Sequence, residues 1–199
     1  MRDLYLVRHG QTELNVQHIL QGRHDSPLTA LGRTQAERVG RYFKREDIVF
    51  DHAYSSPLGR TRATIACITD MPANVDDGLA EWGFGSLEGH PNSELPPQPW
   101  GDFAVPFGGE SQTQVHERMV GALTTIMGRP GHNCVLAVSH GAVCMEFLEH
   151  WGVKGGSLGS DGLPCPGNCS IMHYGFDPAT GEFELLRVLE QSELERLVG

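Results

Sequence analysis

Arg8-His9-Gly10 and Ser139-His140-Gly141 each stand where a short apolar run ends, after Leu4-Tyr5-Leu6-Val7 and after Val135-Leu136-Ala137-Val138. Taken singly, a His-Gly pair behind a strand is a turn. Two of them, the first beside an arginine, point to phosphoryl transfer. That reaction needs a nucleophile, fixed positive charge on the non-bridging oxygens and a proton donor for the leaving group. A neutral imidazole attacks phosphorus when one ring nitrogen is free and the other is held by a hydrogen bond, and His9 fits that role. Arg8 and Arg60 supply planar forks that match phosphoryl oxygens better than lysine does. His140 is a further donor to the same oxygens. By residue type alone Glu81 is an ordinary loop carboxylate, and Glu88 is equally attractive as the acid.

The elements that position these groups follow from the pattern. Continuous apolar runs read as buried strands of a parallel sheet, whose carboxyl ends are where open α/β sheets bind ligands. Strands are expected at 4–7, 50–55, 134–138, 171–176 and 183–189, the last two flanking the turn Asp177-Pro178-Ala179-Thr180-Gly181. Thr29 is a plausible N-cap for a helix to about Lys44, and Ser111-Gln112-Thr113-Gln114 matches a capping box. Ser56-Pro57 reads as N-cap and first helical residue, which places Arg60 in the first turn with free N–H groups to welcome an anion. Residues 90–109 carry five prolines and three aromatics (Trp100, Phe103, Phe107) without a period, so an irregular lid is expected. A Gly/Ser/Pro loop is expected over 155–167, and a charged tail or helix end at 190–196. Alternating strands and helices make the chain an α/β sandwich with a mostly parallel sheet.

At 199 residues the chain suits one domain, 1–199, with the lid as an insertion. The net charge of −10 argues against nucleic acid or an anionic membrane surface as partner, but leaves a small anion possible where the few cations converge. Five cysteines, an odd number, fit a reducing compartment better than a disulfide framework. Cys165 and Cys169 lack a second Cys/His pair at zinc spacing, so neither metal nor cofactor is expected. With no signal-peptide pattern and no membrane-length apolar run, the expected setting is the cytoplasm. Nothing in the sequence fixes an oligomeric state.

The residues that carry the chemistry also carry a resemblance. Arg8-His9-Gly10-Gln11-Thr12-Glu13-Leu14-Asn15 resembles the signature of the histidine phosphatase superfamily, the phosphoglycerate-mutase-like proteins. Pro27-Leu28-Thr29, Gly32 and Gln35-Ala36 resemble the family's first helix start. Ser55-Ser56-Pro57-Leu58-Gly59-Arg60 resembles the segment with its second phosphate-binding arginine. Glu81, Phe84-Gly85 and Glu88-Gly89 resemble the stretch with its proton donor. Gly109-Glu110-Ser111, Ser139-His140-Gly141 and Asn168-Cys169-Ser170 complete the order. The resemblance implies a three-layer α/β/α sandwich and a two-step reaction. His9 takes the phosphoryl group while protonated Glu81 donates to the leaving oxygen, and Glu81 then activates water. A bound phosphate dianion beside Glu81 favours its protonated form. Asn15, Gln21, Gly22 and Gly141 are implied as further phosphate contacts.

Within that family the sequence favours a small-lid phosphatase acting on a small phosphate monoester. A mutase must also hold a carboxylate and a second phosphate, yet no lysine or arginine occurs between Arg62 and Arg118. The lid is short beside the mutases' insertion, and their Asn-Lys pair after the glutamate stretch is absent. Arg23 or His24 could supply part of the missing charge. The lid aromatics suit an uncharged leaving group, or else pin the loop to the core. The alternatives are mutase-type transfer and a non-catalytic phospho-ligand-binding module.

Overall fold

The computed structural model describes residues 1–96, 101–152 and 165–199. Trp100 and most of the loop expected at 155–167 lie outside them. The elements are β1 (Arg2–Arg8), α1 (Glu13–Val16), α2 (Ala30–Arg45), β2 (His52–Ser55), α3 (Gly59–Ile68), β3 (Ala73–Val75), α4 (Gln112–Gly128), β4 (Cys134–Ser139), α5 (Gly141–Trp151), β5 (Ile171–Asp177), β6 (Glu182–Leu189) and α6 (Gln191–Val198). They build one six-stranded sheet in the order β3-β2-β4-β1-β5-β6, parallel from β3 to β1, with the hairpin β5-β6 added antiparallel.

The apolar runs have no polar alternation because both faces are covered. Leu4, Leu6, Val135 and Ala137 point to the side carrying α4 and α5, among Met119, Leu123, Phe147 and Tyr174. Tyr5, Val7, Leu136 and Val138 point to the other side, where Val39, Phe43 and Leu194 of α2 and α6 pack. The result is the expected three-layer arrangement. Parallel pairing sets Arg8 opposite Ser139, so His9 and His140 leave the sheet side by side. His9 N–H donates to the Ser139 carbonyl at 2.9 Å, which fixes that exit.

The capping signals at Thr29 and Ser111 are realised, the latter as a full capping box with Gln114. Two expectations need correction. Helix α3 begins at Gly59 after Leu58, not at Pro57, and Ser56 caps nothing there. Its first N–H groups are taken by Asp25, whose carboxylate accepts from Gly59 N and, at 3.2 Å, from Arg60 N. That helix start is therefore occupied by an acidic side chain rather than open to a ligand. Of the two readings of residues 190–196, the helix is the one found: Glu190 precedes α6, whose Leu194 is fully buried and whose Gln191 and Glu195 accept from Arg38, so the segment is no loose tail.

Among its described residues the lid is irregular as expected, with single 3₁₀ turns at Asn92–Glu94 and Val105–Phe107. Its first part is tied to the loop after α1: Leu20 N donates to the His90 carbonyl, Gly89 N to that of Leu20 and Asn92 N to that of His18, each at 2.8 Å.

Candidate active site

The carboxyl edge of β1 and β4 opens into a cavity of about 260 Å³. His9, Arg8, Arg60, Glu81, Asn15, Gln21, Gly22 and Gly141 all lie on its wall. His140 is fully buried behind it, its ring centroid 5.3 Å from that of His9. The residues expected to transfer or hold the phosphoryl group are thus within one neighbourhood. Glu88 is not on the wall; its carboxylate accepts from Phe84 N at 3.0 Å.

His9 Nδ1 lies 2.8 Å from the Gly10 carbonyl. A carbonyl only accepts, so Nδ1 carries the proton and Nε2 keeps its lone pair. Burial, reinforced by Arg60 and Arg8, holds the His9 pKa well below the ordinary histidine value. Gly10 must be glycine, since a Cβ there would collide with the Gly32 backbone of α2. Gly10 N donates to Thr64 Oγ1 at 3.0 Å, which locks the turn to α3.

The two arginines are held by their tips. Arg60, buried to the last atom of its side chain, donates from Nη1 to the His24 carbonyl (2.7 Å) and Asp25 (3.2 Å) and from Nη2 to the Gly22 carbonyl (2.8 Å). Arg8 Nη1 donates to the Pro166 carbonyl at 2.6 Å. Arg8 Nε, Arg60 Nε and His140 Nδ1 are buried without a hydrogen-bond partner among the described residues. Buried polar atoms are nearly always paired, so these three nitrogens leave hydrogen-bonding capacity unused on the side chains nearest His9. Asn15 Oδ1 accepts from Thr12 N and Asn168 Nδ2, and Gln21 Oε1 from Ser26. Both carboxamides therefore have their acceptor ends tied up and their NH₂ groups left over.

Glu81 sits at the start of α5. Oε1 accepts from Trp82 N (2.9 Å) and Val143 N (3.1 Å), and Oε2 from Ala142 N (3.2 Å). Three backbone N–H groups thus hold the Glu81 carboxyl at the cavity wall. Its loop is fixed by Arg118 and Glu110, which the sequence does not connect to Glu81. Arg118 donates to the carbonyls of Gly78, Ala80 and Glu81 and pairs with Glu110 at 2.9 Å. Glu110 also accepts from Gly83 N and pairs with Arg23 at 3.0 Å. Asp25, Ser56, Thr64 and Asn168 were missed as supports too. Asn168 sat inside a recognised element without a role, whereas Asp25 carries no local signal.

The apolar part of the wall is Ile19, Leu20, Phe84, Leu95 and Ala142. Phe103 and Phe107 instead pair with each other at 5.8 Å; Phe103 packs on the core and Phe107 is exposed. The structural account of these two aromatics is the one the fold supports. Arg23 and His24 are not on the wall; Arg23 is paired with Glu110, and His24 lies 4.0 Å from Glu88.

The profile of the histidine phosphatase superfamily (branch 1) matches residues 4–188. The chain belongs to this superfamily. It is 39% identical over 164 residues to a probable phosphoglycerate mutase, GpmB, of Proteus mirabilis, covering 71% of this chain and 70% of that protein. In structure it resembles the phosphoglycerate mutase of Bacillus anthracis, with TM-score 0.80, 25% identity and coverage of 98% and 96%. It also resembles the phosphoserine phosphatase of Entamoeba histolytica, with TM-score 0.75, 27% identity and coverage of 98% and 100%. The superfamily thus includes both mutases and phosphatases among this chain's relatives. No helix among the described residues is long and apolar enough to cross a membrane.

One consequence of burying His9 and His140 is a pH-dependent stability. Burial, first, and Arg60 hold the His140 pKa well below its ordinary value, as for His9. Folded-state values below the unfolded one mean that the native state binds fewer protons. Stability present above about pH 6.5 is then lost as the pH falls, by up to about 1.4 kcal/mol per buried histidine per pH unit. The urea midpoint is expected to drop from pH 7.5 to 5.5, and to drop less for His140→Phe. Equal slopes for the two proteins would contradict this origin.

Proposed function

We propose that the protein is a phosphomonoesterase that hydrolyses a small phosphorylated metabolite through a phosphohistidine on His9. The observation that carries this reading is the set of three orphaned buried nitrogens, Arg8 Nε, Arg60 Nε and His140 Nδ1, around an imidazole whose Nε2 is unprotonated. In the first step Nε2 forms a bond to phosphorus as the bond to the leaving oxygen breaks. That oxygen takes the proton of Glu81, from Oε2, the oxygen with a single hydrogen bond. In the second step Glu81 takes a proton from water, whose oxygen attacks phosphorus and releases His9 and phosphate. Arg8, Arg60, His140 and the amides of Asn15 and Gln21 bear the charge on the non-bridging oxygens.

Hydrolysis is favoured over mutase chemistry by the wall itself. Among the described residues its cations are Arg8 and Arg60, both at the phosphoryl end, and the remaining wall carries Ile19, Leu20, Phe84, Leu95 and Asn92 but no further cation for a second phosphate or a carboxylate. A cavity of this volume suits a phosphate with a compact leaving group. The second reading, interconversion of phosphoglycerates, is favoured by the likeness to the probable phosphoglycerate mutase of Proteus mirabilis. Both are tested with an aryl phosphate and 3-phosphoglycerate, following phosphate release, isomer formation and acid-labile label on His9. Release with label on His9 supports the phosphatase. Isomer formation faster than release supports the mutase, and binding without turnover leaves a phospho-ligand-binding module.

Glu81→Gln cannot protonate the leaving oxygen. It is expected to lower kcat for an alkyl phosphate by about 10²–10⁴ while sparing an aryl phosphate, whose leaving group needs less help. Equal losses on both would remove Glu81 from the acid role.

A further inference from the structure

His140 has one bonded nitrogen and one orphan. Nε2 lies 2.6 Å from Ser56 Oγ, whereas Nδ1 has no partner among the described residues although the side chain is fully buried. The tautomer decides what the orphan is. If Nε2 holds the proton, Nδ1 is a bare lone pair that repels an anion; if Nδ1 holds it, the orphan is a donor.

We propose that Ser56 is a positioning residue: its hydroxyl donates to His140 Nε2, fixing the Nδ1–H tautomer and so making the orphan nitrogen a donor for the phosphoryl oxygens beside His9. This rests on the phosphate-binding reading of the site, not on turnover.

The protons around Ser56 can be counted. Thr61 Oγ1 lies 2.7 Å from the Leu58 carbonyl and 3.1 Å from that of Ser56, and carbonyls only accept. Its single proton is therefore spent on a carbonyl, and toward Ser56 Oγ, 3.1 Å away, Thr61 can only accept. Leu58 N–H donates to Ser56 Oγ at 3.2 Å, occupying one lone pair. The one Ser56 proton then goes either to Thr61 at 3.1 Å or to His140 at 2.6 Å. The 2.6 Å contact is shorter than the roughly 2.7–3.2 Å of N–H···O bonds, which favours the hydroxyl as its donor and leaves the 3.1 Å approach to Thr61 without a proton. The proton goes to His140. Because α3 starts at Gly59, Ser56 is not consumed as its cap and is free for this duty.

The test is the nitrogen spectrum of histidine-labelled protein, with the His140 ring assigned by its loss in His140→Asn. The wild type is expected to show protonated Nδ1 and unprotonated Nε2 at His140. Ser56→Cys, nearly isosteric but a weak donor, and Ser56→Ala are expected to lose that tautomer and to raise the Kd for inorganic phosphate about tenfold. A purely structural serine would change thermal stability in Ser56→Ala without altering the tautomer in Ser56→Cys. Protonated Nε2 in the wild type would overturn the proposal, as would unchanged tautomer and phosphate affinity in Ser56→Cys. None of these readouts uses turnover, so a protein that hydrolyses nothing would sink the phosphatase reading and leave this one standing.

Discussion

His9→Ala leaves a folded protein whose kcat on an aryl phosphate is lower by about 10⁴-fold or more, the scale of losing a nucleophile rather than a binding contact. The two kinds of loss separate cleanly here. The neighbours that would bind the phosphoryl oxygens do not depend on His9: Arg8 is held by the Pro166 carbonyl, Arg60 by Gly22, His24 and Asp25, and His140 by Ser56. Calorimetric titration with inorganic phosphate should therefore give His9→Ala a Kd within a few-fold of the wild type. An aryl phosphate is the right substrate because its leaving group makes little demand on Glu81. A variant keeping a few per cent of activity would move the nucleophile elsewhere. The candidate is then a water activated by Glu81, and no label would be found on histidine.

Much of this site is legible because the fold places it by simple rules. Two apolar runs ending in His-Gly become adjacent parallel strands, and the pairing of Arg8 with Ser139 brings their histidines together without any long-range guess. Thr29 and Ser111 cap the helices that their local sequences announce. The misses have a common cause. Ser56-Pro57 is a good local helix start, but Asp25 arrives from another segment to cap α3 two residues later, and local propensity yields to a tertiary partner. Asp25, Arg118 and Glu110 act across 35, 37 and 27 residues of chain, on Arg60, Glu81 and Gly83 respectively, and no spacing rule connects them. The lid misled differently. Aromatics serve cores and pockets alike, and Phe103 packs against the core while Leu95 and Ile19 line the cavity.

Arg60→Ala is expected to cost both function and fold, and the two costs can be measured apart. Burial draws the Arg60 pKa down from its ordinary value, opposed by Glu81 and Asp25, yet the charge persists because arginine starts so high. The guanidinium spans the 22–25 loop and the start of α3, so its removal strands the carbonyls of Gly22 and His24. Asp25 is exposed and keeps its bonds to the α3 backbone, so the cost is that of the unpaired carbonyls, about 1–3 kcal/mol. Arg60→Lys keeps the charge and loses the fork, and it should fold better than Arg60→Ala while recovering little activity. The functional loss is read from phosphate itself. Phosphate at a hundred times its Kd stabilises the wild type by about 2.7 kcal/mol, and the matching rise in Tm should shrink sharply in Arg60→Lys. An undiminished rise would mean that the anion sits on Arg8 and His140 alone. Arg60 would then be a structural clamp for the loop that carries Gln21 and Gly22 to the cavity wall.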